Sequence, residues 1–148
     1  MEEVVRMSVV RIFVVDDVDD WRRWVGSTLR TEPFKIIGEA SNGLEAVYLV
    51  AQTQPTVVLL DIGLPRLNGI EAGVRIRRVA PDAKILYLSQ EFDPDIVQAA
   101  LRIGALGYVL KSDAARELVE AIHTVVGGKK FVSSGVAGQY FKIASEGE

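Results

Sequence analysis

The fold is decided by a stretch near the N-terminus, VVRIFVVDD, which covers residues 9–17. Its apolar part is rich in β-branched side chains and is interrupted only by Arg11, as is typical of a strand buried on both faces of a parallel sheet. Two aspartates, Asp16 and Asp17, follow this run directly. The stretch therefore predicts a buried strand whose carboxyl end carries a pair of carboxylates.

Further apolar runs of strand length follow, and they are found at residues 35–40, 57–60, 85–88 and 108–110. Between these runs, apolar residues recur with the i, i+3, i+4, i+7 spacing of one helical face. All five prolines fall at breaks in the pattern, where chain reversals are expected. The alternation predicts an α/β fold of the flavodoxin-like type. We expect a doubly wound, five-stranded parallel sheet in the order 2-1-3-4-5, covered by five helices.

Composition limits the classes of function. The chain has 148 residues, no cysteine and a net charge of −3, from 17 basic and 20 acidic residues. Without cysteine there is no disulfide or thiolate metal site, which suits a cytoplasmic protein. No apolar run has the length of a membrane helix. The nearly balanced charge does not indicate the excess of basic residues that nucleic-acid-binding proteins carry. We therefore expect no membrane association and no direct nucleic acid contact from this chain.

One domain is expected, over residues 9–128. Residues 1–8 are expected to form an N-terminal extension. Residues 129–148 show no clear period, so we interpret them as a C-terminal tail, the start of a linker or a short docking segment, with no output domain after them.

Polar side chains stand at the predicted carboxyl ends of four strands. Asp16 and Asp17 follow the first strand and Asp61 the third, whereas Ser89 and Lys111 follow the fourth and fifth. Ligands of doubly wound sheets bind at this edge, where the strand order reverses, so the three carboxylates should converge. Their mutual repulsion would be relieved by a hard divalent cation, and Mg²⁺ prefers such oxygen ligands.

Asp61 then has a metal on one side and the Lys111 ammonium group on the other. This arrangement suits phosphoryl transfer, in which the protein positions the groups and neutralises charge on the phosphoryl oxygens. A carboxylate can act as the nucleophile and form an acyl phosphate. Ser89 can donate a hydrogen bond to one phosphoryl oxygen, and Lys111 can pair with another.

Four motifs together resemble the receiver domains of two-component response regulators, over about residues 9–126. They are VVDD at residues 14–17, LLDIGLPRLNG at 59–69, LS at 88–89 and GALGYVLK at 104–111. The last two motifs, and GKKFVS at residues 128–133, are most similar to the subfamily that usually carries a helix-turn-helix output domain. No helix-turn-helix sequence follows here, so a role in transcription regulation would depend on an output domain.

The resemblance implies a role for each residue of the acidic cluster. Asp61 would be the phosphoacceptor in a phosphorelay, phosphorylated by a histidine kinase or a phosphotransfer protein. Asp17 would ligate Mg²⁺ directly and Asp16 through water, and the backbone carbonyl of Gly63 would complete the protein ligands. The domain would be a signalling module rather than an enzyme, although it would support its own phosphorylation and dephosphorylation.

The resemblance also implies a switch. Ser89 and Tyr108 would be the switch pair, in which the hydroxyl moves to the phosphoryl group and the aromatic ring follows inward. The output surface would be the face formed by the fourth helix, fifth strand and fifth helix, through which a homodimer is possible.

The chain departs from the family pattern beside the site. Gln90 stands where a small residue is usual and would narrow the path to Asp61. Ser112 stands where proline often follows the lysine, and without proline a cis peptide bond there would cost roughly 3–4 kcal/mol.

Two other functions are compatible with parts of the sequence. Residues 17–19 spell the Asp-x-Asp motif of haloacid-dehalogenase-like phosphatases, which also use an aspartate nucleophile. Those enzymes need an acidic pair after the lysine, and this alternative leaves Asp61 without a role. The other alternative is a receiver that binds proteins without being phosphorylated. Such a module would not need the carboxylates, Ser89 or Lys111.

Overall fold

The structure, a computed structural model, describes residues 9–31 and 33–139. The expected extension at residues 1–8 and the end of the expected tail at 140–148 lie outside these described residues. The helices are α1 (Asp19–Thr28), α2 (Gly43–Thr53), α3 (Gly69–Val79), α4 (Pro94–Arg102) and α5 (Ala114–Val126). The strands are β1 (Val10–Val15), β2 (Phe34–Ala40), β3 (Val57–Asp61), β4 (Lys84–Ser89), β5 (Gly107–Leu110) and β6 (Phe131–Val132). Among these described helices, none is long and apolar enough to cross a bilayer.

All the strands are parallel and form one sheet in the order β2-β1-β3-β4-β5-β6. The predicted doubly wound fold and the predicted order of the first five strands are confirmed. Successive side chains of a strand point to opposite faces, so the central strands supply two apolar cores. On β1, Phe13 and Val15 pack in the core under α2, α3 and α4, whereas Ile12 and Val14 pack in the core under α1 and α5.

Polar caps define where three helices begin after their strands. The side chain of Asn42 accepts the N–H of Glu45 at 2.9 Å at the start of α2, and that of Asn68 accepts the N–H of Glu71 at 2.9 Å at the start of α3. Asp93 caps α4 in the same way. Each cap stabilises its helix by about 1 kcal/mol. The caps fix these helix starts, and the loops that precede them, at the edge where the strands end.

The prediction of five strands was one short, because β6 adds a sixth at the edge beside β5. The N–H of Phe131 donates to the carbonyl of Leu106 at 2.9 Å, and that of Ser133 donates to the carbonyl of Tyr108 at 3.0 Å. A helical turn follows, in which Val136 is fully buried. The strand has only two residues, too few to produce a periodic pattern. The expected tail is thus docked on the sheet as far as the structure describes it.

Candidate functional site

The candidate site lies at the edge of the sheet where the parallel strands end. Asp16 and Asp17 follow β1, Asp61 is the last residue of β3, Ser89 is the last of β4, and Lys111 follows β5. Since β1 pairs with β3 and β4 pairs with β5, the sheet carries all five side chains to one edge. This is the position that the sequence predicted for them.

The three aspartates form the centre of the site. Each of Asp16, Asp17 and Asp61 offers one carboxylate oxygen, and these three oxygens lie within 4.8 Å of one another. Asp16 and Asp61 are buried, with 1% and 8% of their surface exposed, whereas Asp17 is exposed. Among the described residues, no other cluster of acidic or histidine side chains could hold a metal ion. The site therefore offers oxygen ligands of the kind that Mg²⁺ prefers, with one side open to water.

Asp16 is already bound by protein donors. One of its carboxylate oxygens accepts the N–H of Val18 at 2.9 Å, and the other accepts the ammonium group of Lys111 at 2.6 Å. The guanidinium group of Arg22 donates to its backbone carbonyl. These contacts leave Asp17 as the carboxylate that is freely accessible from solvent.

Lys111 lies between two buried carboxylates but is closer to one of them. Its ammonium nitrogen is 2.6 Å from Asp16 and 3.9 Å from Asp61. Only 13% of its side chain is exposed. The sequence placed Lys111 beside Asp61, and the structure adds that its shorter contact is with Asp16.

The pKa of Asp61 is raised above its ordinary value of 3.8. Burial is the main cause and the nearby charge of Asp16 is the second, while Lys111 and the backbone N–H groups of Ile62 and Gly63 act in the opposite direction. Burial disfavours the ionised carboxylate, and a second negative charge adds to that cost. Positive charge beside Asp61 would therefore stabilise its ionised form.

The loop after β3 approaches the site closely because Gly69 has no side chain. A Cβ at that position would lie 2.0 Å from the backbone carbonyl oxygen of Asp61. The N–H of Gly69 donates to the carbonyl of Ile62 at 2.8 Å, and its own carbonyl accepts the hydroxyl of Tyr87 at 2.8 Å. The start of α3 is thus tied directly to the end of β3, which holds the backbone of Asp61 in place.

The two residues of the expected switch pair lie on neighbouring strands. The hydroxyl of Ser89 donates to the backbone carbonyl of Glu91 at 2.9 Å. The ring of Tyr108 is fully buried, and its centroid is 6.2 Å from that of Tyr87. The aromatic ring that was expected to follow the hydroxyl inward is already inside the protein in this structure.

An open cleft of about 460 Å³ leads to the acidic cluster. Asp17, Asp61 and Lys111 line it, and so do Gly63 and Gln90, both of which are exposed. Gln90 stands in the wall of the cleft, as the sequence predicted for a bulky residue beside the path to Asp61.

The phosphatase alternative has no support in this geometry. It required an acidic pair after Lys111, and the buried Asp113 is the first acidic residue there. Its carboxylate accepts the N–H of Gly135 at 2.9 Å and the guanidinium of Arg116 at 2.8 Å. The side chain therefore connects α5 to the C-terminal segment, and it does not belong to the acidic cluster.

Trp21 is the neighbour of the site that sequence reasoning missed. It is half-buried and packs with Trp24 against the core under α1 and α5, and its ring lies 4.9 Å from the Lys111 ammonium nitrogen. It occurs four residues after Asp17, and that short separation is the signal that could have indicated it.

Comparison with known proteins agrees with this geometry. The family model for the response regulator receiver domain matches residues 12–123. The transcriptional regulatory protein DegU of Brevibacillus brevis is 34% identical, with all of this chain and 65% of the relative covered. LiaR of Bacillus subtilis is 36% identical, with 88% of this chain and 63% of LiaR covered. The chain spans less than two thirds of the length of these curated relatives.

Solved structures are similar in the same way. A two-component response regulator of the LuxR family from Aurantimonas sp. SI85-9A1 has a TM-score of 0.87 and 32% identity, covering 93% of this chain and 99% of the other. The receiver domain of the putative response regulator NarL from Mycobacterium tuberculosis has a TM-score of 0.78 and 31% identity, covering 83% and 100%.

Proposed function

Because this chain belongs to the response regulator receiver domain family of two-component systems, we propose that Asp61 is the residue that accepts the phosphoryl group. The observation that carries this proposal is the setting of Asp61 at the end of β3, among two other aspartates and 3.9 Å from the Lys111 ammonium nitrogen. In the proposed reaction, a carboxylate oxygen of Asp61 bonds to phosphorus while the bond between phosphorus and the donor atom breaks. The product is an acyl phosphate on Asp61.

The donor set fits Mg²⁺. Asp17 is exposed to solvent, so we propose that its carboxylate ligates the ion directly together with Asp61 and the backbone carbonyl of Gly63. Asp16 would act through water, since Val18 and Lys111 already occupy its two oxygens. When bound, the ion would neutralise negative charge on the phosphoryl oxygens.

Lys111 and Ser89 would hold the phosphoryl oxygens. Lys111 already lies against the site, so a shift from Asp16 toward Asp61 would let its ammonium group pair with one oxygen. The Ser89 hydroxyl would give up its hydrogen bond to the carbonyl of Glu91 and donate to another phosphoryl oxygen instead. The same groups would orient a water molecule for the later hydrolysis, so the domain would support its own dephosphorylation.

The partners follow from the position of the site. We propose that the donor is a histidine kinase or a phosphotransfer protein that reaches Asp61 through the open cleft. Residues 9–128 would form the receiver domain, and the docked segment after them would be the start of a linker. A homodimer through α4, β5 and α5 would have to use helix side chains, because β6 already occupies the edge of β5.

The test is phosphorylation by acetyl phosphate in the presence of Mg²⁺, followed by intact mass. We expect one added phosphoryl group that is lost in base, no addition in Asp61→Asn, and weaker Mg²⁺ binding in Asp17→Asn, which should need more Mg²⁺ for the same labelling. Asp82→Asn, an exposed aspartate outside the cluster, is the matched control and should be labelled like wild type. Equal labelling of wild type and Asp61→Asn would refute the assignment.

A further inference from the structure

The Lys111 ammonium group has a third neighbour besides the two buried carboxylates. Its nitrogen lies 4.9 Å from the centroid of the Trp21 ring, within the roughly 6 Å at which an aromatic face attracts a cation, and tryptophan is the best of the aromatic residues for this. We propose that Trp21 is a positioning residue that holds the Lys111 ammonium group at the site of phosphoryl transfer. The inference rests on the proposed function and names a contributor to it outside the family motifs.

The side chain of Lys111 needs such a support. A lysine ends in a compact, strongly hydrated charge on a flexible stem of four carbons. Asp16 and Asp61 attract that charge at 2.6 Å and 3.9 Å, but once a cation competes for the carboxylates, they hold it less firmly. The ring of Trp21 carries no formal charge, so its attraction for Lys111 persists through those changes.

Trp21 is itself held in place without a polar contact. Its ring stacks on Trp24, with centroids 4.8 Å apart and planes inclined by 27°. Its indole nitrogen is buried and has no hydrogen-bond partner among the described residues. A buried N–H without a partner is unfavourable, so other contacts must favour this orientation. Three contacts favour it: the stack on Trp24, packing against the apolar core under α1 and α5, and the position of Lys111 over the ring.

The first experiment uses a small donor, phosphoramidate, so that no protein surface takes part in the reaction. The labelling rate of wild type, Trp21→Leu, Trp21→Phe and Trp24→Phe is measured against donor concentration. We expect the maximal rate of Trp21→Leu to fall by roughly threefold to thirtyfold, the range equivalent to a cation–π contact. Trp21→Phe, which keeps an aromatic face, should recover part of the loss. Trp24→Phe should stay close to wild type.

The second experiment detects the contact without any phosphorylation. The chain has two tryptophans, so Trp24→Phe leaves Trp21 as the only one, and its emission reports on the charge over its ring. In this background, Lys111→Met should shift the emission, whereas Lys84→Met, on β4 and away from the ring, should not. Thermal unfolding of each variant establishes that it is folded.

The outcomes separate the two proposals. If wild type is labelled and Trp21→Leu has the same maximal rate, or a higher one, Trp21 does not position Lys111. A loss in Trp21→Leu that Trp21→Phe does not relieve would assign Trp21 to packing alone and overturn the inference. If wild type is not labelled at all, the proposed function fails. The emission of Trp21 then tests the contact by itself: if Lys111→Met does not shift that emission, the contact between Trp21 and Lys111 is ruled out as well.

Discussion

At the scale of single residues, the neighbours of the buried Asp61 act on its pKa in opposite directions. Burial and the charge of Asp16 raise its pKa, and Lys111 and two backbone N–H groups limit that rise. A carboxylate in such a place is destabilised in the folded state when it is ionised. The protein keeps this unfavourable charge at the position that the proposed chemistry needs.

This balance predicts how stability depends on pH in metal-free buffer. The pKa of Asp61 in the folded state lies above 3.8, so the folded state binds this proton more tightly than the unfolded state does. The protonated side chain therefore adds its full contribution to the free energy of unfolding below pH 3.8, and this contribution is lost as pH rises through the folded-state pKa. Asp61→Asn should therefore be more stable than wild type at pH 7, by roughly 0.5–2 kcal/mol, the usual size of a single stabilising substitution. The gain should shrink toward pH 3.

Urea unfolding with a chelator present, at pH 3 and pH 7, measures both differences. Added Mg²⁺ should stabilise wild type and narrow the gap at pH 7, because a ligand that binds only the folded state stabilises it. If Asp61→Asn were less stable than wild type at pH 7, burial and the charge of Asp16 would not be the dominant influences on the Asp61 carboxylate.

Gln90 gives a second prediction at this scale. It lines the cleft beside Ser89, so shortening it should open the path to Asp61. Labelling of Gln90→Ala by acetyl phosphate should be faster by roughly twofold to tenfold, equivalent to about 0.4–1.4 kcal/mol of barrier, with little change in Mg²⁺ affinity. Gln98→Ala, an exposed glutamine on α4, is the matched control. Equal rates for Gln90→Ala and wild type would show that Gln90 does not narrow the path.

At the scale of elements, β6 is held by one side chain as well as by its backbone. The hydroxyl of the fully buried Ser133 accepts the N–H of Leu110 at 3.0 Å. This bond satisfies a backbone donor at the end of β5, one residue before Lys111. The C-terminal segment therefore supports the strand that presents the lysine to the site.

Removing that acceptor should be costly. Ser133→Ala leaves the buried N–H of Leu110 without a partner, which costs roughly 1–3 kcal/mol of unfolding free energy. Ser134→Ala is the matched control, because its hydroxyl bonds to Glu117 on the exposed surface, and such a substitution typically changes stability by less than about 0.5 kcal/mol. Urea unfolding measures both. Equal stability of the two variants would mean that the Ser133 hydroxyl does not support the end of β5.

At the scale of the whole molecule, β4 and β5 connect the site to the face of α4, β5 and α5, which we propose as the output surface. Ser89 ends β4 and donates to the carbonyl of Glu91 in the loop before α4. If its hydroxyl turns to a phosphoryl group, that loop loses one hydrogen bond. Tyr108 is already buried, so a change in the loop would reach α4 without requiring a large movement of the ring.

Amide exchange with and without beryllofluoride, which mimics the phosphoryl group, tests this connection. We expect changed protection within residues 92–126 and a bias between states of roughly 1–3 kcal/mol. Ser89→Ala should still be phosphorylated and should show a smaller change. Changes confined to α1 and α2 would rule out this route to the output surface.

The pattern of residue types along the chain was sufficient to predict the fold and the position of most residues of the site. β-Branched runs alternating with helical periodicity lead to parallel strands, and parallel strands end at one edge, so Asp16, Asp61 and Lys111 had to meet. These inferences depend on periodicity and on chain direction, both of which are local properties of the sequence.

Other features depended on contacts between distant parts of the chain. β6 has two residues and forms only because the edge of β5 is available to it. The preference of Lys111 for Asp16 over Asp61 depends on how the ends of β1, β3 and β5 lie relative to one another. The position of its ammonium group over Trp21 depends on where the start of α1 lies beside them. A residue's spacing shows which face of a helix it occupies, but the tertiary structure alone decides which charge that face meets, because attraction between charges depends on distances set by packing.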